Sequence, residues 1–193
     1  MVIAHHLILT GYGHWLPNDP RGSLSVGTHT PELARLAESH FGRRTTQPTR
    51  EKLRAFHEEA RGLLTHQILW FDEAQRRLAA EALAEVIRRE RLTCYACAIL
   101  TDHVHVLIRK HRLTGEAMSA ACKEGIREAL RSTGTVPGDH PVFSADVCDM
   151  YKSDPGAVRS GIEYIRDNFP KHGLPVVDYD FVTPYDDGPF HNR

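Results

Sequence analysis

Thr93-Cys94-Tyr95-Ala96-Cys97-Ala98-Ile99-Leu100, then Thr101-Asp102, then His103-Val104-His105-Val106-Leu107-Ile108-Arg109-Lys110 is the stretch that decides the fold. Two apolar runs flank a two-residue polar break, which predicts strands over 93–100 and 103–110 joined as an antiparallel hairpin. The two-residue period of a strand puts His103 and His105 on one face and Val104, Val106 and Ile108 on the other. The two histidine Cα atoms then stand about 6.6 Å apart. Side chains of that length can converge on one divalent ion and leave coordination positions open for water or a phosphate oxygen. The plainer reading is a half-buried strand whose polar face carries two histidines, because no cysteine or carboxylate pattern completes a zinc site.

Upstream, residues 2–10 alternate as a strand, with Ile3, His5, Leu7 and Leu9 on one face and Ala4, His6, Ile8 and Thr10 on the other. His5 and His6 therefore point apart, so one of them at most can join a site, and an edge histidine satisfied locally is the simpler expectation. Residues 11–27 are rich in glycine, proline, asparagine and aspartate and read as a structured loop carrying Tyr12, Trp15 and Arg21. About 31–64 reads as an insertion of two polar helices, capped by Thr30 and Thr49. Asp72 caps the clearest helix, with Leu78, Ala82, Leu83, Val86 and Ile87 as its apolar stripe.

Downstream, Thr114 caps a helix carrying Met118, Ala121, Cys122, Gly125, Ile126 and Ala129, and residues 134–140 break it. After an ambiguous stretch, Asp154-Pro155 opens a last helix through Val158, Ile162 and Ile165 to about Asn168. From Gly173 the tail shows no period. Strand, loop, helices, strand, strand, helix, short strand, helix describes an α+β fold, a ferredoxin-like antiparallel sheet with helices packed on it.

The chain has 193 residues, 41% hydrophobic and 25% charged, which suits one domain over 1–193 with an extended tail at about 176–193. No apolar run approaches membrane-spanning length and no basic-flanked leader opens the chain, so a soluble, cytoplasmic protein is expected. Twenty-four basic against twenty-five acidic residues leave a formal charge of −1, so any phosphate-binding surface must be local. Arg109, Lys110 and Arg112, directly after the histidine strand, are the candidate for contacting a nucleic-acid backbone; they also read as a solvated face. Cys94 and Cys97, three apart in a strand, face opposite sides and read as packing residues, not as a redox or zinc pair. Cys122 reads as helix core. His40, His57, His111, His140, His172 and His191 show no partner pattern.

Four stretches together resemble the HUH single-tyrosine transposases of small insertion sequences, and in particular the REP-associated tyrosine transposases. They are His6-Leu7-Ile8 with Tyr12-x-x-Trp15-Leu16-Pro17, the Asp102-His103-Val104-His105-Val106-Leu107 hairpin, the helix that follows, and Tyr164-Ile165-x-x-Asn168-x-x-Lys171-x-Gly173-Leu174-Pro175. They span most of the chain outside 31–64. The resemblance implies a DNA-binding transposase active in DNA transposition and recombination. Such an enzyme binds folded single-stranded or hairpin DNA, holds a divalent metal (Mg²⁺ or Mn²⁺) on the scissile phosphate through His103 and His105, and attacks with a tyrosine. A phenol with an ordinary pKa near 10 is a poor nucleophile, so charge stabilisation suits this chemistry. A third metal ligand would come from the tyrosine helix, and a homodimer is implied as well.

One departure concerns the nucleophile. The REP-associated pattern Trp-x-x-x-Phe-Tyr-Asp corresponds here to Phe143-Ser144-Ala145-Asp146-Val147-Cys148-Asp149, with Cys148 at the tyrosine position. Tyr151 lies three residues on, on the same face if the stretch is helical, and is the candidate catalytic tyrosine. Cys148 as the nucleophile, a catalytically impaired hairpin-DNA-binding protein and a metallohydrolase that forms no adduct are the alternatives.

Overall fold

The computed structural model describes residues 1–23 and 31–187. Thr30, expected as a helix cap, and His191 lie outside the described residues. The elements are β1 (Ala4–Thr10), α1 (Pro31–Ala34), α2 (Arg50–Leu63), α3 (Glu73–Glu90), β2 (Cys94–Ile99), β3 (His103–Arg109), α4 (Gly115–Ser132), β4 (Cys148–Lys152) and α5 (Pro155–Lys171).

The four strands form one antiparallel sheet in the order β2-β3-β1-β4. Each crossover, β1 to β2 and β3 to β4, skips a strand, which is the split arrangement of a ferredoxin-like sheet. β1 and β3 are the two central strands, so their polar residues lie inside the sheet and not at its rim. β1 is therefore no edge strand, contrary to the expectation for His5 and His6.

Helix starts follow the capping residues. Asp72 accepts from Gln75 N at 2.8 Å while the Gln75 side chain returns to Asp72 N at 3.0 Å, a reciprocal cap that fixes the start of α3. Thr49, Thr114 and Asp154 cap α2, α4 and α5 one way, each side chain accepting from a first-turn backbone N–H, and Pro155 opens α5 at the first turn, where a missing N–H costs nothing.

Helices α3 and α4 cover one face of the sheet. They bury Leu83, Val86, Met118, Cys122 and Ile126 against Leu7, Leu9, Val104, Val106 and Ile108. Helix α5 covers the other face, where Ile165, Val158 and Phe169 meet Ala4, Ala98, Leu100 and Leu107. Gly161 of α5 is buried against Leu107 of β3, where the missing side chain lets the helix lie close to the strand.

Cys94 and Cys97 are both buried in the α3/α4 core together with Cys122. A register shift between Cys94 and Ala96 breaks the alternation, so the pair shares a face where strict periodicity expects opposite faces. Burial raises the thiols of Cys94 and Cys122 to about 12 and that of Cys97 well above its ordinary value, as inert packing residues require.

The insertion forms a small separate cluster, in which Leu33, Phe56 and Ala60 pack on Leu16 of the loop after β1. α1 is a single turn, shorter than the sequence pattern suggests. The tail is not featureless: it runs beside β2, with Thr183 N donating to Cys94 O at 2.7 Å and Tyr179, Phe181 and Val182 packed on the core. Among the described residues no helix is long and apolar enough to cross a membrane.

Candidate functional site

The start of β3 and the middle of β1 lie side by side, with Ile8 opposite His105 and Thr10 opposite His103. Directly opposed residues share a face, so His103 and His105 project on the same side as His6, beneath α5. Three imidazoles and one carboxylate then form a chain. Asp102 Oδ1 is 2.7 Å from His103 Nδ1, His103 Nε2 is 2.9 Å from His105 Nε2, and His105 Nδ1 is 2.9 Å from His6 Nε2.

Burial sets the electrostatics of this chain. His6 and His105 are 1% and 2% exposed. Desolvation, reinforced by the charges of Lys152 and His103, lowers His6 to about 4. Desolvation with the charges of His103 and His6 lowers His105 well below the ordinary imidazole value. Both rings are therefore neutral near pH 7, which is the form that can offer a lone pair. Burial acts to raise Asp102, but the hydrogen bond from His103 and the charges of His103, His14 and His172 together bring it down to about 2.

These residues fit a divalent cation. Two nitrogens bound side by side to an octahedral ion stand about 3 Å apart. The Nε2 atoms of His103 and His105 are 2.9 Å apart. Each ring has a partner on Nδ1, Asp102 for His103 and His6 for His105, which is how a ligating imidazole is held in the correct tautomer. His172, just past the end of α5, extends the donor set. Among the described residues Asp102, His103 and His172 each bring one donor atom within 4.8 Å of the others.

The phenol beside these histidines belongs to Tyr164. Its ring centroid is 5.8 Å from His105 and 5.9 Å from His6, edge-on in both cases. It is 47% exposed, so a substrate can reach it. Tyr164, Asn168 and Lys171 follow one another at i, i+4 and i+7 on α5 and so share a face. Asn168 Nδ2 donates to Tyr164 O at 2.7 Å, and Lys171 Nζ is 5.1 Å from the Tyr164 ring centroid.

Tyr151 stands elsewhere. The stretch that contains it is not helical but forms β4, paired with β1, and Tyr151 lies opposite His5 with ring centroids 5.4 Å apart. His5 faces α4, where Asp149 Oδ2 is 2.8 Å from His5 Nδ1. Tyr151 is thus on the opposite side of the sheet from His103 and His105, a correction that follows from the two-residue strand period. Cys148 sits at the start of β4 opposite Ile8, and burial followed by the charge of Asp149 raises its thiol, the wrong direction for a nucleophile.

Arg109, Lys110 and Arg112 lie at the far end of β3, with Arg109 about 13 Å along the strand from His105. The structure does not bring them to the histidines. His6 and His172, by contrast, join the cluster without having shown a partner pattern in sequence.

No protein-family model matches the sequence, and no curated protein matches it. The fold is similar to that of a REP-associated tyrosine transposase solved bound to a REP hairpin, with TM-score 0.47 and 10% identity over 97% of this chain and 92% of that one. It is also similar to a protein from Deinococcus radiodurans provisionally described as a transposase, with TM-score 0.40 and 14% identity over 87% of this chain and 91% of that one.

Proposed function

We propose that this chain is a transposase-like single-stranded DNA endonuclease and strand transferase in which Tyr164, not Tyr151, is the nucleophile. The observation that carries the reading is the placement of the Tyr164 phenol against His105 and His6, beside two histidine Nε2 atoms held 2.9 Å apart. The sequence resemblance supports His103 and His105 as the metal pair; it puts the tyrosine ahead of α5, so the choice of Tyr164 rests on the geometry.

His103 and His105 would hold a divalent cation, Mg²⁺ or Mn²⁺, through Nε2, with Asn168 or His172 as the source of a third ligand. When bound, it supplies Lewis-acid polarisation of the scissile phosphate. Asp102 and His6 take the Nδ1 hydrogens of the two ligating rings and keep both lone pairs turned to the site. Lys171 places positive charge beside the phenol, where an anionic phosphate enters.

The Tyr164 hydroxyl oxygen bonds to phosphorus, its proton departs, and one deoxyribose oxygen leaves and is protonated. A phosphotyrosine diester and a free DNA hydroxyl result. Attack by a DNA hydroxyl on that diester reverses the step and rejoins strands, so one bond is exchanged for another of the same kind and no outside energy source is needed. Arg109, Lys110 and Arg112 are assigned to backbone phosphates further along the DNA. The binding-only reading draws on Cys148 and on the near-neutral charge, and a phenol supplied by α5 answers the first of these.

Incubation with hairpin-bearing single-stranded DNA and Mn²⁺ is expected to give a covalent protein–DNA adduct on a denaturing gel. Tyr164→Phe abolishes it, and Tyr151→Phe leaves it. An adduct retained in Tyr164→Phe, or none from the wild type with any hairpin tried, ends the proposal.

A further inference from the structure

The chain has two tryptophans, Trp15 and Trp70, and both stand at the surface, 37% and 58% exposed. Both segments are tied to the β2–β3 turn from which His103 projects. Gly11 N donates to Asp102 O at 2.8 Å, and Phe71 N donates to Thr101 O at 2.7 Å. His14 links the two: its ring meets Trp70 edge-on at 4.4 Å, and its Nε2 bonds Leu69 O at 3.0 Å.

Trp15 is held in a backbone conformation, φ 51, that bulky residues seldom adopt. Its indole is covered on one face by the Arg21 guanidinium, 3.6 Å from the ring centroid. Arg21 is itself fixed by the fully buried Asp19, with Nε to Oδ1 at 2.9 Å and Nη2 to Oδ2 at 2.7 Å. Next to Trp15 a cavity of about 460 Å³ opens between Tyr12, His14, His66, Arg127 and Phe143.

A strained backbone and a buried carboxylate thus hold an indole and a guanidinium outward next to a roomy cavity, and His14, the neighbour of Trp15 in the chain, meets the second exposed indole. This chemistry suits flat, unpaired bases: indoles stack on any nucleobase, and guanidinium groups take the adjoining phosphate. A duplex offers no free base face. With a formal charge of −1 the chain has no global positive field, so stacking adds affinity to whatever local basic groups supply.

We propose that Trp70, His14 and Trp15 with its Arg21 brace form a stacking subsite for unpaired nucleotides of single-stranded DNA, adjoining the histidine site. The inference rests on the DNA-cleaving reading above for the identity of its ligand and adds where the unpaired bases lie.

Because these are the sole tryptophans, tryptophan emission, excited at the red edge of the absorption band where the six tyrosines do not absorb, reports on this surface. Full-length protein in EDTA, which prevents cleavage, is titrated with a mixed-sequence single-stranded oligodeoxynucleotide of about 12 nucleotides and with the same sequence as a blunt duplex. The single strand quenches the emission and the duplex does not. Trp70→Ala weakens single-strand binding about tenfold, and Trp70→Phe, which keeps a stacking face, stays within about threefold of wild type.

Four results overturn the subsite: no response to the single strand, an equal response to the duplex, wild-type affinity in Trp70→Ala, or quenching that follows protein concentration without DNA and so marks a protein–protein contact. A Tyr164 adduct without quenching removes the subsite and leaves the nuclease. Quenching without any adduct leaves the subsite and removes the nuclease.

Discussion

Replacing His6 by leucine perturbs the innermost link of the histidine chain, and its effect can be worked out in advance. Leucine fills a similar volume beneath α5 and cannot take a proton. Folded His6 titrates at about 4, against 6.5 for the ordinary imidazole, because burial, Lys152 and His103 all oppose its charge. Between those two values the unfolded chain binds a proton that the folded chain refuses, so stability falls as pH drops from 6.5 towards 4 and is unaffected by this group at higher pH. At 1.36 kcal/mol per unit, the residue costs the wild type about 3 kcal/mol on going from about pH 7 to pH 4. Urea unfolding in EDTA, followed by far-ultraviolet circular dichroism at the two pH values, measures this. Between them the wild type should lose about 3 kcal/mol more than His6→Leu, while His14 and His57, which are also lowered, contribute to both proteins and His105 is relieved in the variant of one charge that lowers it. Equal losses would refute a neutral, buried His6 and with it the account of how His105 is held.

The fold and site carry further expectations. Asp102→Asn removes the carboxylate on His103 Nδ1, and Mn²⁺ affinity measured by calorimetry should weaken roughly 10–100-fold while the fold is retained. Gly125→Ala pits two effects against each other: alanine favours helix by up to about 1 kcal/mol, but its Cβ would come within 2.5 Å of Val86 Cγ2 between α3 and α4. Overpacking should win by about 1–2 kcal/mol in denaturant melts, and a stabilised variant would mean that the helices can part at no cost. Of the four thiols only Cys148, half-buried, should react with a thiol reagent in the native protein near pH 7. Cys94, Cys97 and Cys122 should appear only on unfolding, and two or more fast-reacting thiols would contradict the buried cysteine cluster.

The hairpin, the three long helices and their caps were legible because each is specified locally, by alternation in 103–109 or by Asp72, Thr114 and Asp154 just ahead of an apolar period. β4 was not. Cys148-Asp149-Met150-Tyr151-Lys152 has no alternation of its own and becomes a strand only by pairing with β1, a contact across more than a hundred residues. Reading 148–151 as helical, with the expected short strand left unplaced, misplaced Tyr151, since a helix and a strand send its side chain to different places. Tyr164 and Asn168 did carry a signal, a pair at i and i+4 that shares a face of α5 with Lys171 at i+7. What the sequence could not say was which side of the sheet α5 would cover. His6 escaped notice for a similar reason: its meaning depends on β1 lying next to β3, in the interior of the sheet. The bulge at Cys94 and Ala96, which turns both cysteines to one face, leaves no mark in the residue order.

The segment beside β2 has a bearing on solubility. β2 ends the sheet on one side, and an uncovered terminal strand of such apolar sequence invites recruitment of a neighbouring molecule's backbone. Val182 bridges Cys94 in parallel, and Tyr179 and Phe181 stack over the hydrophobic margin. These contacts act as a built-in guard rail: a version truncated ahead of Tyr179 would keep every catalytic candidate and should precipitate or form fibrils at concentrations where the intact chain stays dispersed.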